Sequence, residues 1–100
     1  MNKPLKILIT DVAQNDIKTI TDFIAKDNKR AAFSIVEIYK ETFKMLSNYP
    51  SSGVYKVGIK HPDVLIFTLK KRYSIAYRVN GDTLEILRVL TCYQDLFAIL

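Results

Sequence analysis

The sequence contains few of the residues that build catalytic or metal-binding sites. Its 100 residues include three glycines, one cysteine and one histidine. Three widely spaced glycines cannot form a phosphate-binding loop, and no serine lies within the glycine pattern of a nucleophile elbow. His61 and Cys92 have no ligand spacing around them, and a lone cysteine cannot form a disulfide within the chain. We therefore expect neither a metal nor another cofactor.

Long hydrophobic runs are also missing. No apolar segment approaches the length of about 20 residues that spans a bilayer, so we expect no membrane partner. With only one cysteine, this favours a cytoplasmic protein. The sequence is nevertheless 49% hydrophobic and 11% aromatic. This composition is typical of a compact globule, and the length predicts a single domain over residues 1–100.

The clearest pattern is a β-hairpin near the C-terminal end of the sequence. Apolar side chains alternate with polar or small ones from 73 to 79, which is the period of a strand with one buried face. The dipeptide Asn80-Gly81 follows and favours a tight turn. Residues 83–90 are apolar on both faces, which predicts a central strand covered on both sides.

Two registers of this hairpin remain open. A two-residue loop would place Tyr77 opposite Leu84, whereas a four-residue loop would place Arg78 opposite Glu85. Both turn the same faces inward.

Arg88 interrupts the apolar second strand of the hairpin. Regular alternation places it on the face shared with Leu84 and Ile86. Its stem could lie along the sheet while its guanidinium pairs with Asp95 or Glu85. Alternatively, it could be a cation held at the open end of the sheet for a phosphate or an acidic partner.

Two amphipathic helices precede the hairpin. Asp11 is the predicted N-cap of the first, because Gln14 follows three residues later as in a capping box. Asn28 is the predicted cap of the second, which the Pro-containing segment 49–53 ends. Further strands are predicted at 5–10, 54–59 and 64–69, and the tail at 91–100 should form a short helix that docks on its own domain or on a partner.

These elements predict an α+β fold with the order β-α-α-β-β-β-β. Because the helices are joined by a short link, they should form a hairpin packed on one face of a mostly antiparallel sheet. The net charge of +5 would attract a polyanion or an acidic protein, although so modest an excess also fits a solvated surface.

The sequence resembles the RelE/ParE superfamily of bacterial toxins over essentially its whole length. The resemblance lies in TDVAQNDIKTITDFIAKDN, in Ala31-Ala32 at the start of the second helix, in the break P-S-S-G, and above all in RYSIAYRVNGDTLEILRVLTCYQDLF. It implies a toxin of a type II toxin–antitoxin system, bound and neutralised by a cognate antitoxin. A homodimer and a heterotetramer with the antitoxin are both compatible with it.

Two activities divide this superfamily. RelE-like members cut messenger RNA on the ribosome with cations that stabilise the phosphate as it gains charge. ParE-like members poison DNA gyrase. Where the nucleases carry an arginine after the tyrosine that opens the hairpin, this sequence has Ser74. Where they present lysines on the preceding strand, it has Leu65 and Phe67, and the stretch 91–93 lacks their further arginine.

The resemblance therefore implies a ParE-like gyrase inhibitor rather than an enzyme. The alternatives are a RelE-like ribosome-dependent endoribonuclease and a degenerate, non-toxic member that only binds its antitoxin. The residues expected to contact the target or the antitoxin are basic residues of the sheet together with the tail: Lys70, Lys71, Arg72, Arg78, Arg88, Tyr93, Asp95, Leu96 and Phe97.

Overall fold

The structure, a computed structural model, describes residues 3–100 and confirms the α+β fold. Two long helices cover one face of a four-stranded sheet in this part of the chain. Its strands lie in the order β1-β4-β3-β2, with β1 parallel to β4 and the other pairs antiparallel. The elements are β1 (Lys6–Ile9), α1 (Asp11–Asp27), α2 (Lys29–Asn48), β2 (Leu65–Leu69), β3 (Tyr73–Asn80), β4 (Thr83–Thr91) and α3 (Leu96–Ile99). No helix in residues 3–100 combines the length and hydrophobicity of a bilayer span.

The predicted cap of α1 is wrong by one residue. Thr10 is the N-cap, and its hydroxyl accepts a hydrogen bond from the backbone N–H of Ala13 at 3.1 Å. The same hydroxyl donates to the carbonyl of Leu87 at 3.1 Å, so strand β4 fixes the start of the helix. Gln14 donates its side-chain amide to the carbonyl of Ile9 instead of closing a capping box.

Asn28 ends one helix and begins the next. Its backbone N–H donates to the carbonyl of Ile24, and its side-chain oxygen accepts from the N–H of Ala31 at 3.0 Å. The predicted cap of α2 is therefore confirmed. Because a single residue joins the helices, they must run antiparallel, and both apolar stripes face the sheet.

The sheet is buried on both faces, as the apolar pattern of β4 predicts. The helices cover one face, around a core that includes Tyr39, Leu46, Ile75, Tyr77, Leu84, Ile86 and Val89. The other face carries a smaller cluster to which the tail contributes two residues: Val64, Ile66 and Ala76, with Ile59, Leu87, Leu96 and Leu100 packed against them. The tail thus docks on its own domain.

The predicted strand at 54–59 is not formed. Only Val54 pairs with the sheet, through a bridge to Ile66 with N–H···O distances of 2.9 and 2.8 Å. The chain then turns at 56–59, where the N–H of Ile59 donates to the carbonyl of Lys56 at 3.4 Å and Gly58 adopts a φ of +101°. Val57 is left fully exposed, whereas Ile59 returns to pack on the outer cluster.

The β3–β4 hairpin adopts the second of the two predicted registers, but through a two-residue loop, so the four-residue loop predicted with it is wrong. Arg78 lies opposite Glu85, and Asn80 lies opposite Thr83. The central turn residues are therefore Gly81 and Asp82 rather than Asn80 and Gly81, and of these only the glycine has a positive φ, at +62°.

A β-bulge interrupts this hairpin and corrects the predicted position of Arg88. Tyr77 pairs with Ile86, but Ala76 pairs with Arg88, so Leu87 is an extra residue in β4. The bulge shifts the alternation by one, and Val89 occupies the helix-covered face where Arg88 was predicted.

Tyr77 ties the sheet to the segment that follows α2. Its hydroxyl donates to the carbonyl of Pro50 and accepts from the N–H of Gly53, both at 2.7 Å. The ring is fully buried, and desolvation raises the pKa of Tyr77. This side chain therefore holds a 3₁₀ turn, Pro50–Ser52, against the core.

Replacing Tyr77 with phenylalanine should lower the free energy of unfolding by about 1–3 kcal/mol, because two backbone groups lose their partner. Tyr39 offers a matched control, since its hydroxyl is buried without a hydrogen-bond partner in the described residues. Tyr39→Phe should be neutral or slightly stabilising. Urea denaturation measures both, and a larger loss for Tyr39→Phe would contradict this account.

Candidate functional site

The turn between β2 and β3 presents three consecutive cations. The N–H of Arg72 donates to the carbonyl of Leu69 at 3.1 Å, which closes a tight turn with Lys70 and Lys71 at its centre. Both lysines have positive φ, at 54° and 60°, a conformation that costs an L-residue roughly 1–2 kcal/mol. Asparagine or glycine would fit there at lower cost. Both lysines therefore occupy positions where the backbone conformation favours asparagine or glycine.

These cations are free of acidic partners. All three side chains are exposed, and within residues 3–100 none of them forms an ion pair. We call residues 70–72 the basic turn. Its charge is available to an anionic ligand.

Two grooves lie between the basic turn and the helical hairpin, and Ile24, Arg72 and Tyr73 line both. The larger, which we call the α2 groove, has a volume of about 790 Å³ and adds Arg30 and Lys70 to these three. The smaller, the α1 groove, has a volume of about 550 Å³ and runs to the end of β4. Among the described residues that line them there is no aspartate or glutamate. The grooves thus combine an apolar floor with positive charge.

Tyr93 lies beside the basic turn. The N–H of Cys92 donates to the carbonyl of Arg72 at 2.7 Å, which holds the start of the tail against the turn. Tyr93 lines the α1 groove and remains 95% exposed. Cys92 is also exposed.

Arg78 lies at the opposite end of β3. Its Nε donates to Glu85 Oε1 at 2.6 Å, and its Nη1 is 3.6 Å from Asp63 Oδ2. The hydrogen bond to Glu85 raises the pKa of Arg78. Two carboxylates therefore neutralise this predicted contact residue away from the basic turn.

Arg88 pairs with a carboxylate on α1. The two partners predicted from the sequence, Asp95 and Glu85, are both wrong. Arg88 Nε and Nη2 donate to the two carboxylate oxygens of Asp16 on α1, at 2.8 and 3.0 Å. This bidentate bond raises the pKa of Arg88 and keeps the guanidinium charged. The pair fastens α1 to the sheet.

The predicted tail residues have local structural contacts. Asp95 caps α3, because one carboxylate oxygen accepts from the N–H groups of Phe97 and Ala98 at 3.0 and 3.3 Å. Leu96 packs on the outer face of the sheet. Phe97 lies against Gly58 and is 47% exposed. The nine predicted residues therefore do not form one cluster.

Two groove residues were missed by the sequence reasoning. Phe23, on α1, lines the α1 groove and is 70% exposed. Arg30, in the first turn of α2, lines the α2 groove. Phe23 lies one position before Ile24 in the helix, and this offset of about 100° from the stripe was the available signal.

The positions that carry cations in RelE-like nucleases hold neutral side chains here. Leu65 and Phe67 belong to the core beneath the helices. Ser74 lies between Thr68 and Leu90 in the sheet. Residues 3–100 also contain no group of three His, Cys, Asp or Glu side chains that could hold a metal ion.

Comparisons with known proteins give a consistent result. A chain from the chromosomal ParDE toxin–antitoxin system of P. aeruginosa is similar in structure, with a TM-score of 0.72, 25% identity, and coverage of 87% of this chain and 95% of that one. A chain of the toxin–antitoxin complex RelBE2 from Mycobacterium tuberculosis shares the fold, with a TM-score of 0.60, 23% identity, and coverage of 89% and 99%. No curated protein sequence matches the chain. Residues 7–96 match the family described as the ParE toxin of the type II toxin–antitoxin system parDE. The chain therefore belongs to the ParE toxin family of type II toxin–antitoxin systems.

Proposed function

We propose that the protein inhibits DNA gyrase and that a cognate antitoxin neutralises it. The observation that carries the proposal is the basic turn, whose three cations have no acidic partner in residues 3–100. The chain belongs to the ParE family, and the positions that carry cations in RelE-like nucleases hold neutral side chains here. A ribonuclease would need preorganised cations at those positions, and each missing one would cost about 2–4 kcal/mol of transition-state stabilisation.

The antitoxin would cover surfaces that are apolar or unpaired in the isolated chain. The two grooves have apolar floors, and strand β1 lies at the sheet edge with Ile7 and Leu8 42% and 47% exposed. An amphipathic helix can fill such a groove, and an added strand can pair with such an edge. Both modes are open to one extended antitoxin segment.

Purified protein in excess over gyrase should stop the ATP-dependent supercoiling of relaxed plasmid. Arg72→Gln should raise the concentration for half-inhibition about tenfold, which corresponds to about 1.4 kcal/mol of binding free energy. Arg78→Gln is the matched control, because it removes the same charge from a residue already paired with Glu85. Undiminished supercoiling at excess protein would refute the proposal.

One observation favours a second function, that of a ribosome-dependent endoribonuclease. Tyr93 is an exposed aromatic ring beside Arg72, a pairing that could stack a base and hold its phosphate. Primer extension on translating ribosomes distinguishes the two, since codon-specific cuts would establish the nuclease. Healthy growth of cells expressing the chain alone would instead indicate a member that only binds its antitoxin.

A further inference from the structure

We propose that the basic turn and the α1 groove bind a single strand of DNA, with phosphates on the cations and bases stacked on Phe23 and Tyr93. The choice of DNA over RNA rests on the proposed function, because DNA is the substrate of gyrase. The inference deepens that function by assigning this surface to the nucleic acid rather than to the gyrase protein.

The basic turn carries unpaired positive charge to the edge of the α1 groove. Lys70, Lys71 and Arg72 are consecutive, exposed and without acidic partners in residues 3–100, and Arg72 lines the α1 groove itself. Non-specific binding to a nucleic acid depends on such contacts with successive phosphates. A row of unpaired cations beside acid-free grooves is complementary to a polyanionic strand.

Two exposed aromatic rings lie along the α1 groove. Phe23 and Tyr93 come from different elements, yet both line the α1 groove, with Arg72 also in its wall. Exposures of 70% and 95% mean that the rings stand out from the surface rather than form a pocket floor. A base can stack on such an exposed ring face, whereas the carboxylates of an acidic peptide would leave both rings without a stacking partner. The rings therefore favour a nucleic acid over an acidic peptide.

The backbone of the basic turn is strained at both of its lysines. Lys70 and Lys71 occupy left-handed conformations that asparagine or glycine adopt more easily. Strained residues of this kind concentrate where function requires a particular side chain. Here the side chains retained against the strain are two cations.

The test measures fluorescence anisotropy of a labelled oligothymidylate of about 12 nucleotides with the purified full chain, across a series of salt concentrations. Lys70→Asn/Lys71→Gly should weaken binding at least about tenfold and reduce the slope of log K against log salt by about 1.4, or 0.7 for each lost contact. The same variant should melt at an equal or higher temperature, because both new residues suit the turn. Retained stability excludes misfolding as the cause.

Two further variants sharpen the result. Phe23→Ala/Tyr93→Ala should weaken binding while leaving the salt slope unchanged, because stacking involves no phosphate. Lys44→Gln/Lys56→Gln is the matched control, since it removes two exposed charges elsewhere and should leave affinity near that of the parent protein.

Several outcomes would overturn the inference: unchanged binding by the turn variant, tighter binding to oligouridylate, or binding of an acidic peptide without binding of oligothymidylate. Gyrase inhibition by a chain that does not bind the oligonucleotide would refute this inference and leave the proposed function intact. Oligonucleotide binding without gyrase inhibition would support the DNA surface and refute the gyrase target.

Discussion

Replacing Gly53 with alanine should lower the free energy of unfolding by about 3–5 kcal/mol. A Cβ at this position would lie 2.5 Å from the Oη of Tyr77 and 2.8 Å from its Cε1. The ring cannot retreat, because it is fully buried and its hydroxyl makes two hydrogen bonds to the backbone. Overpacking of about 1–3 kcal/mol therefore adds to the loss of those bonds.

The effect of Gly53→Ala should be steric rather than conformational. Gly53 has a φ of −80° and a ψ of 175°, which any residue adopts without strain. Ser51→Ala, two residues earlier and exposed, is the control and should leave stability nearly unchanged. In a Tyr77→Phe background the cost of Gly53→Ala should shrink by about 1 kcal/mol or more, because the nearest atom is gone. Equal costs in both backgrounds, measured by urea denaturation, would contradict the steric explanation.

The sequence was most informative where structure depends on near neighbours. The helices follow from apolar periodicity, and Asn28 acts as a cap through a contact only three residues away. The hairpin follows from alternation over 73–79 and a turn dipeptide. The residues that produce these patterns lie within a few positions of each other, so the patterns can be recognised in a single sequence.

The errors occurred where a distant contact decides the local structure. The segment 54–59 has the composition of a strand, but its pairing with the sheet stops after the single bridge from Val54 to Ile66. Thr10 rather than Asp11 caps α1 because it also bonds to β4, 77 residues later in the chain. The contact of Thr10 with β4 leaves no signal in the local pattern.

The candidate site was predictable only in part for the same reason. The basic turn and Tyr93 were identified from residue types alone, and the structure brings them together. Arg78 and Arg88 are also basic residues of the sheet, yet each forms an ion pair with a carboxylate. The bulge at Leu87 and the distance of 72 residues to Asp16 concealed the partner of Arg88.

Asp16 substitutes for a missing strand at the edge of β4. The last pair between β1 and β4 is Ile9 with Ile86, so beyond it no strand pairs with β4 on that side. Asp16 Oδ2 accepts from the N–H of Val89 at 3.0 Å and also from Arg88 Nε. One carboxylate, only 11% exposed in its side chain, thus satisfies a strand amide and a guanidinium.

Asp16→Ala should therefore lower the free energy of unfolding by about 2–4 kcal/mol, because it leaves both a cation and a buried amide without a partner. Arg88→Met should cost less, about 1–2 kcal/mol, since Asp16 keeps its bond to Val89 and methionine replaces the apolar stem. Asp22→Ala, which breaks the exposed pair with Lys18 on the same helix, is the control and should have no measurable effect. Urea denaturation with an unchanged m-value measures all three. A loss for Arg88→Met as large as that for Asp16→Ala would show that the ion pair alone, and not the capped strand edge, fastens α1 to the sheet.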